Sequence, residues 1–203
     1  MRIKGVIYLL MAFTLCYGQN KDNSELKLGI KTSINISSLL GTEFQNPRPK
    51  FGYTAGAYLN APINKKWSLQ SEVLGSFRGS SFNNGDTGYS KIALFYVDAM
   101  VAPTYRLEKN SISIGPYLSY LGLGSIYIGD KKKSEDIEEF GLKPLDFGVA
   151  GYYTIHGPVV GFQFGAKVGL SNVNNGVNFD GIFPKTGTGG SIKNLSFEIG
   201  MLF

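Results

Sequence analysis

The residues of this 203-residue chain best placed to do chemistry are charged side chains inside alternating segments. Successive side chains of an extended strand point to opposite faces, so residues an even number apart share a face. By this rule Lys27 and Lys31 share one face of their segment, and Glu72 and Arg78 share one face of theirs. The same rule applied along the chain gives four cations and four carboxylates on equivalent faces: Lys27, Lys31, Arg78, Lys167, Glu72, Asp98, Asp146 and Glu198.

Familiar catalytic and metal-binding motifs do not emerge from the sequence. His156 is the only histidine and Cys16 the only cysteine, so a zinc site or a Cys/His nucleophile pair cannot be assembled. His156 lies in a predicted turn, His156-Gly157-Pro158, with no serine placed beside it for a Ser–His pair. We therefore predict that the protein is not an enzyme and needs no cofactor.

The most charged stretch of the chain is DKKKSEDIEEF, residues 130–140. We expect a solvated loop here, with Ser134 capping a short helix. The alternative is a calcium or other divalent-ion site, although the spacing does not match an EF-hand. The carboxylates concerned are Asp130, Glu135, Asp136, Glu138 and Glu139. A second stretch, residues 174–190, is rich in Gly and Asn, which predicts a loop.

Alternation of apolar and polar residues is the pattern that must position the charged side chains. Residues 26–36 alternate over eleven positions, which is long for a soluble strand but typical of a tilted strand that crosses a bilayer. In the segment 92–105 both faces are partly apolar, and Asp98 suggests that the even residues face inward. Eight such segments occur: 26–36, 51–59, 67–78, 92–105, 112–120, 145–153, 160–170 and 195–203.

The connections between these segments alternate in length. Those after the first, third, fifth and seventh segments are long, and the other three are short. An even strand number with short turns at one end and long loops at the other is the layout of an outer-membrane barrel. We therefore predict an all-β, eight-stranded antiparallel up-and-down transmembrane barrel with both termini in the periplasm. Aromatic residues expected at the membrane interface on the short-turn side are Trp67, Tyr105, Tyr153 and Phe203.

The first 18 residues have the pattern of a secretory signal peptide. Arg2 and Lys4 precede an apolar run of about twelve residues, too short for a membrane helix, and small residues follow it. We expect cleavage between Gly18 and Gln19, with the barrel domain over residues 19–203. Loss of two positive charges would lower the net charge from +5 to +3. We expect no nucleic-acid binding, because the only dense basic run is residues 131–133.

Several segments together resemble the PorT-like outer-membrane β-barrel proteins of Bacteroidetes. These are YGQN, KKWSLQSEVLGS (65–76), GPYLSYLG (115–122), LDFGVAGYY (145–153) and the final FEIGMLF. Family members carry a Tyr-x-Glu-x-Pro segment in their fourth strand, where this chain has YVDAMVAP with Asp98 as the acid. The resemblance implies an eight-stranded barrel in the outer membrane. The members that give the family its name serve a protein-secretion system.

An eight-stranded barrel is just wide enough for side chains to fill its interior. We expect the eight charged residues to pair there and block the lumen, with Glu198 bonded to Lys27 or Lys31; a gated ion or proton path is the alternative. We predict a monomeric outer-membrane protein surrounded by lipid, with a structural or docking role through its long loops. Two other roles stay open: an accessory subunit of a secretion or transport system, and a soluble, lipocalin-like periplasmic barrel that turns its apolar residues inward around a ligand.

Overall fold

The computed structural model describes residues 26–41, 47–83, 89–128, 131–134, 142–174 and 191–203. Within them the chain forms nine strands: β1 (Lys27–Gly41), β2 (Arg48–Pro62), β3 (Trp67–Asn83), β4 (Tyr89–Leu107), β5 (Asn110–Ile128), β6 (Lys131–Ser134), β7 (Leu145–His156), β8 (Gly161–Gly169) and β9 (Ile192–Leu202). No helix in these ranges is long and apolar enough to span a membrane. The expected signal peptide, all five carboxylates of the charged stretch and residues 175–190 lie outside the described residues.

Eight of these strands close into one antiparallel barrel. The order around the sheet is β4-β3-β2-β1-β9-β8-β7-β5, and β4 pairs with β5 to complete the ring. The closing pairs of β1 and β9 run from Lys31 opposite Leu202 to Gly41 opposite Ile192. Closure satisfies the backbone hydrogen bonds of both edge strands, as a bilayer requires. The predicted eight-stranded all-β barrel is confirmed.

The ninth strand, β6, was not predicted. Residues 131–134 pair with the end of β5, where we expected a solvated loop. Ser134 stands opposite Ile126 at the end of this strand, so it belongs to a β-hairpin, and the rest of the expected helix lies outside the described residues.

Most strands run further toward the long-connection end than the alternation indicated. β3, β4 and β5 have 17, 19 and 19 residues. The connections after β1 and after β3, both predicted to be long, therefore shrink to residues 42–47 and 84–88. Two long connections stay long: 129–144, which contains β6, and 170–191. The extensions escaped prediction because the polarity pattern changes along them, and a β-bulge opposite Phe95 shifts the phase of β5 near Gly122.

The inside and the outside of the barrel differ sharply in polarity. Inward-facing Lys31 and Asp146 are fully buried, whereas outward-facing Val73 and Ile199 are 58% and 63% exposed. This burial overturns the lipocalin-like reading, which needs the apolar faces inside. The even residues of β4 face inward, as Asp98 suggested. We call the outward-facing apolar side chains the apolar band; its members include Leu28, Ile30, Ile34, Phe51, Tyr53, Val73, Phe77, Val97, Val101, Ile114, Leu118, Phe147, Val149, Phe162, Phe164, Phe197 and Ile199.

Candidate functional site in the barrel interior

The charged side chains of five strands meet inside the barrel. β1 contributes Lys31, β4 contributes Asp98, and β3 contributes two residues, Glu72 and Arg78. Each side chain is on an inward position of its strand and is at most 3% exposed. Together with one residue each from β8 and β9 they form the interior charge network: Lys31, Glu72, Arg78, Asp98, Lys167 and Glu198.

One half of the network is centred on Lys31. Its Nζ lies 2.9 Å from Oε2 of Glu72 and 3.6 Å from Oε2 of Glu198. The same Nζ lies 3.8 Å from the ring centroid of Tyr152, a cation–π contact. The hydroxyl of Tyr152 donates to Oε2 of Glu198 at 2.9 Å, and Gln70 Nε2 donates to Oε1 of Glu72 at 2.6 Å. Lys31 thus joins two carboxylates that come from opposite sides of its strand.

The other half of the network is centred on Asp98. Lys167 Nζ lies 2.8 Å from Oδ2 of Asp98 and 2.9 Å from Oε1 of Glu198, so it links the two halves. Arg78 pairs with the same Oδ2 of Asp98, and Ser119 Oγ donates to Oδ1 at 2.6 Å. The result is an unbroken chain of alternating charge across the lumen with three cations and three carboxylates.

Two of the eight predicted residues lie outside this network. Lys27 is exposed, because it is the first residue of β1 and stands at the short-turn rim opposite Asn60. We predicted that Glu198 pairs with Lys27 or Lys31, and in the structure its partner of the two is Lys31. Asp146 is fully buried, but its contacts are hydrogen bonds from Tyr117 at 3.3 Å, Asn194 at 2.8 Å and Ser171.

Glycines make room for the large rings in the network layer. A Cβ on Gly165 of β8 would clash with the ring of Tyr152, which lies across that position. Tyr152 and Tyr117 were not singled out from sequence, although both occupy inward positions of the segments LDFGVAGYY and GPYLSYLG. Their positions in the alternation of apolar and polar residues could have predicted that both tyrosines point into the barrel.

A second layer, absent from the sequence predictions, closes the barrel toward the long connections. We call it the apolar cap: Leu39, Phe82, Ile92, Leu94, Tyr96, Leu121, Leu142, Val173 and Ile192, each at most 4% exposed. Leu142 and Val173 come from the two long connections. Val173 N donates to Ile192 O at 2.9 Å, and Lys143 N donates to Val173 O at 2.8 Å. These bonds hold both connections in the mouth of the barrel.

The predicted interface aromatics lie on the outer surface near the short turns. Trp67 and Tyr105 are partners on β3 and β4, and their rings meet edge to face with centroids 5.0 Å apart. Tyr153 is 39% exposed and Phe203 is 52% exposed. Phe203 is tied to β1 by two backbone bonds with Ile30, at 2.8 and 3.0 Å.

A serine does lie beside His156, contrary to the prediction from the sequence. Ser111 Oγ is 2.9 Å from His156 Nε2, because β5 and β7 pair at the short-turn rim. Partial burial, followed by the charges of Arg106 and Lys27, lowers the pKa of His156. In the described ranges no group of three or more His, Cys, Asp or Glu residues is arranged to hold a metal ion.

A closed antiparallel barrel with an apolar outside and a charged inside defines an integral β-barrel of an outer membrane. The chain belongs to the outer membrane protein beta-barrel domain family, whose model matches residues 17–175. This family places it in the bacterial outer membrane. No curated protein matches the chain.

The solved structures that are similar to this chain include the following two proteins. Neisserial surface protein A is 10% identical, with a TM-score of 0.54 that covers 88% of this chain and 97% of that one. The attachment invasion locus protein Ail of Yersinia pestis is 11% identical, with a TM-score of 0.44 over 86% and 95%. The first likeness supports the barrel fold and, at this identity, nothing further.

Proposed function

We propose that this protein is a non-conducting, non-catalytic outer-membrane anchor that presents its long-connection end as a docking surface for another envelope protein. The observation that carries the proposal is the filled interior. The interior charge network occupies the lumen at the level of the apolar band, and the apolar cap lies above it.

Both layers oppose conduction, each for its own reason. An ion passing the network must separate buried pairs, which is costly because each partner would be left without its counter-charge. An ion passing the apolar cap must shed its water among side chains that offer no compensating charge. The same two layers make the barrel rigid, which suits an anchor.

The orientation follows the usual layout of such barrels, with short turns in the periplasm and longer connections outside. Both termini then lie in the periplasm, with residues 1–18 removed as a signal peptide and residues 19–203 forming a monomeric barrel. The Trp67–Tyr105 pair supports a membrane interface just above the short turns. The connections 129–144 and 170–191 would then form most of the docking surface.

A second role is favoured by the resemblance to PorT-like proteins: an accessory subunit of an outer-membrane secretion system. In this second role the protein would use the same end of the barrel, and its partner would be a component of the secretion system. Photo-crosslinking separates it from a purely structural role. A photoreactive residue replaces Lys143, exposed at the long-connection end, and in a matched variant replaces Lys109, exposed at the short-turn end.

The experiment that tests the main proposal uses the full chain from outer membranes. The folded barrel should change gel mobility on boiling in SDS and show no steady conductance in planar bilayers. Crosslinks should form from position 143 and not from position 109. A fluorophosphonate probe should leave Ser111 unlabelled, with Ser111→Ala as the control. Steady channels in the folded wild type, or labelling that Ser111→Ala abolishes, would contradict the proposal.

A further inference from the structure

A pair of lysines stands on the outer surface at the long-connection end. The register of β2 against β3 shifts between Pro49 and Thr54. Close to this irregularity the side chain of Lys50 lies across Gly79 of β3, where a Cβ would be 3.2 Å from Lys50 Cδ. Its Nζ lies 3.5 Å from Ile92 O on β4. A lysine of β2 therefore reaches over one whole strand because that strand has a glycine there.

The position that Lys50 reaches is already cationic. Lys91 is exposed and directly precedes Ile92, the residue whose carbonyl oxygen Lys50 Nζ approaches. In the part of the chain that the structure describes, neither lysine has a carboxylate within ion-pair distance. We call Lys50 and Lys91 the rim lysine pair. Two neighbouring like charges without a counter-charge form a site for an anion.

Apolar aromatic surface lies directly below this pair. The outward rings of Tyr53 and Phe77 have centroids 4.5 Å apart, and those of Phe77 and Phe95 are 4.8 Å apart. These three rings form an aromatic row across β2, β3 and β4 at the edge of the apolar band. A ligand that carries an anionic head and an apolar tail would contact both features at once.

We propose that the rim lysine pair binds the phosphate of a phosphorylated glycolipid of the outer leaflet, with an acyl chain lying along the aromatic row. The proposal rests on the proposed orientation, in which the long connections face outward. Basic side chains next to a membrane attract anionic lipid headgroups, and the attraction weakens with salt. The site selects the lipid by its phosphate.

The test compares lipid retention by the full-length barrel in phosphatidylcholine nanodiscs, read by native mass spectrometry. One set of discs contains phosphorylated lipid A and the other its dephosphorylated form. The wild type should retain the phosphorylated form preferentially. Lys50→Gln and Lys91→Gln should each lower that retention about fivefold, and the double variant should lower it further.

Lys193 provides the matched control. It is exposed on the outer surface at the same end, opposite Leu40, and lies beside an apolar groove. Lys193→Gln should leave retention unchanged. Equal retention of the two lipid forms, full retention by the double variant, or an equal loss in Lys193→Gln would overturn the proposal.

Two readouts separate this proposal from the proposed function. The heat-dependent gel shift of every variant reports whether the barrel is folded, independently of lipid. If the double variant loses the shift, Lys91→Gln alone decides, because Lys91 is exposed and its side chain packs against no core. A folded, non-conducting barrel that ignores the lipid phosphate would refute the lipid site and leave the anchor role standing.

Discussion

Replacing Asp98 by Asn should destabilise the barrel more than any comparable isosteric change in the interior. Asp98 accepts from Ser119 and pairs with both Arg78 and Lys167. The substitution keeps the side-chain volume and removes one negative charge. Within the described residues Arg78 then has no ion-pair partner left, whereas Lys167 keeps Glu198 at 2.9 Å.

The expected loss follows from the cost of an uncompensated buried charge. Breaking a buried pair by removing one partner costs about 3–5 kcal/mol. Glu72→Gln is the matched comparison, because its partner Lys31 keeps Glu198 at 3.6 Å and the ring of Tyr152. That variant should lose less. Glu108→Gln, on an exposed turn, should lose nothing measurable.

The free energy of unfolding is measured by urea titration of the barrel in lipid vesicles, followed by tryptophan fluorescence or gel mobility. The Arg78→Met/Asp98→Asn double variant supplies the decisive comparison. Because it removes the isolated cation, it should be more stable than Asp98→Asn alone. If Asp98→Asn were no less stable than Glu72→Gln, or if the double variant were the least stable, the electrostatic reasoning would be refuted.

Three further predictions use the same unfolding assay. Val73→Arg, in the middle of the apolar band, should lower the free energy of unfolding by about 2–4 kcal/mol. Leu107→Arg, at the short-turn rim, should lower it by at most about 1 kcal/mol. A water-soluble barrel would tolerate both substitutions equally well. His156, beyond the membrane at the short-turn rim, has a lowered pKa, chiefly from partial burial. Only the unfolded chain gains this proton as pH falls through the ordinary value of 6.5, so stability should fall from pH 7 to pH 5, less so in His156→Gln. Ile192→Ala, in the apolar cap, should cost about 2–5 kcal/mol without opening a conductance.

The fold could be predicted from the sequence because every strand of a membrane barrel must satisfy the same constraint. Each strand that crosses the membrane needs an apolar face of nearly fixed length, and eight segments met that constraint. For β4, Asp98 alone was enough to infer which face points inward. The inward charges were readable for the same reason. Their mutual contacts were not, because strand order and register decide which inward residues meet, and alternation carries no register. Lys27 and Asp146 were grouped with the network on phase alone; one stands at the rim and the other accepts hydrogen bonds instead.

The parts that could not be predicted lie where the polarity rule changes. The extensions of β3 and β4 carry inward Phe82 and Ile92 and outward Ser81 and Lys91, the reverse of the pattern lower in the barrel. Searching for one continuous alternation ends each segment at this reversal. The Ser111–His156 contact was missed for another reason, since it joins strands whose pairing the two residues do not reveal.

The reversal of polarity has a physical cause that also locates the membrane boundary. Inside the bilayer the outer face contacts lipid, so polar residues have only the interior available to them and must pair there, as Asp98 and Arg78 do. Beyond the bilayer the outer face contacts water, and apolar residues gain by turning inward, as Ile92 does. On β4 the change falls between outward Phe95 and outward Lys91. The rim lysine pair therefore lies at the position on β4 where the outward side chains change from apolar to charged. This position corresponds to the depth of the lipid phosphates.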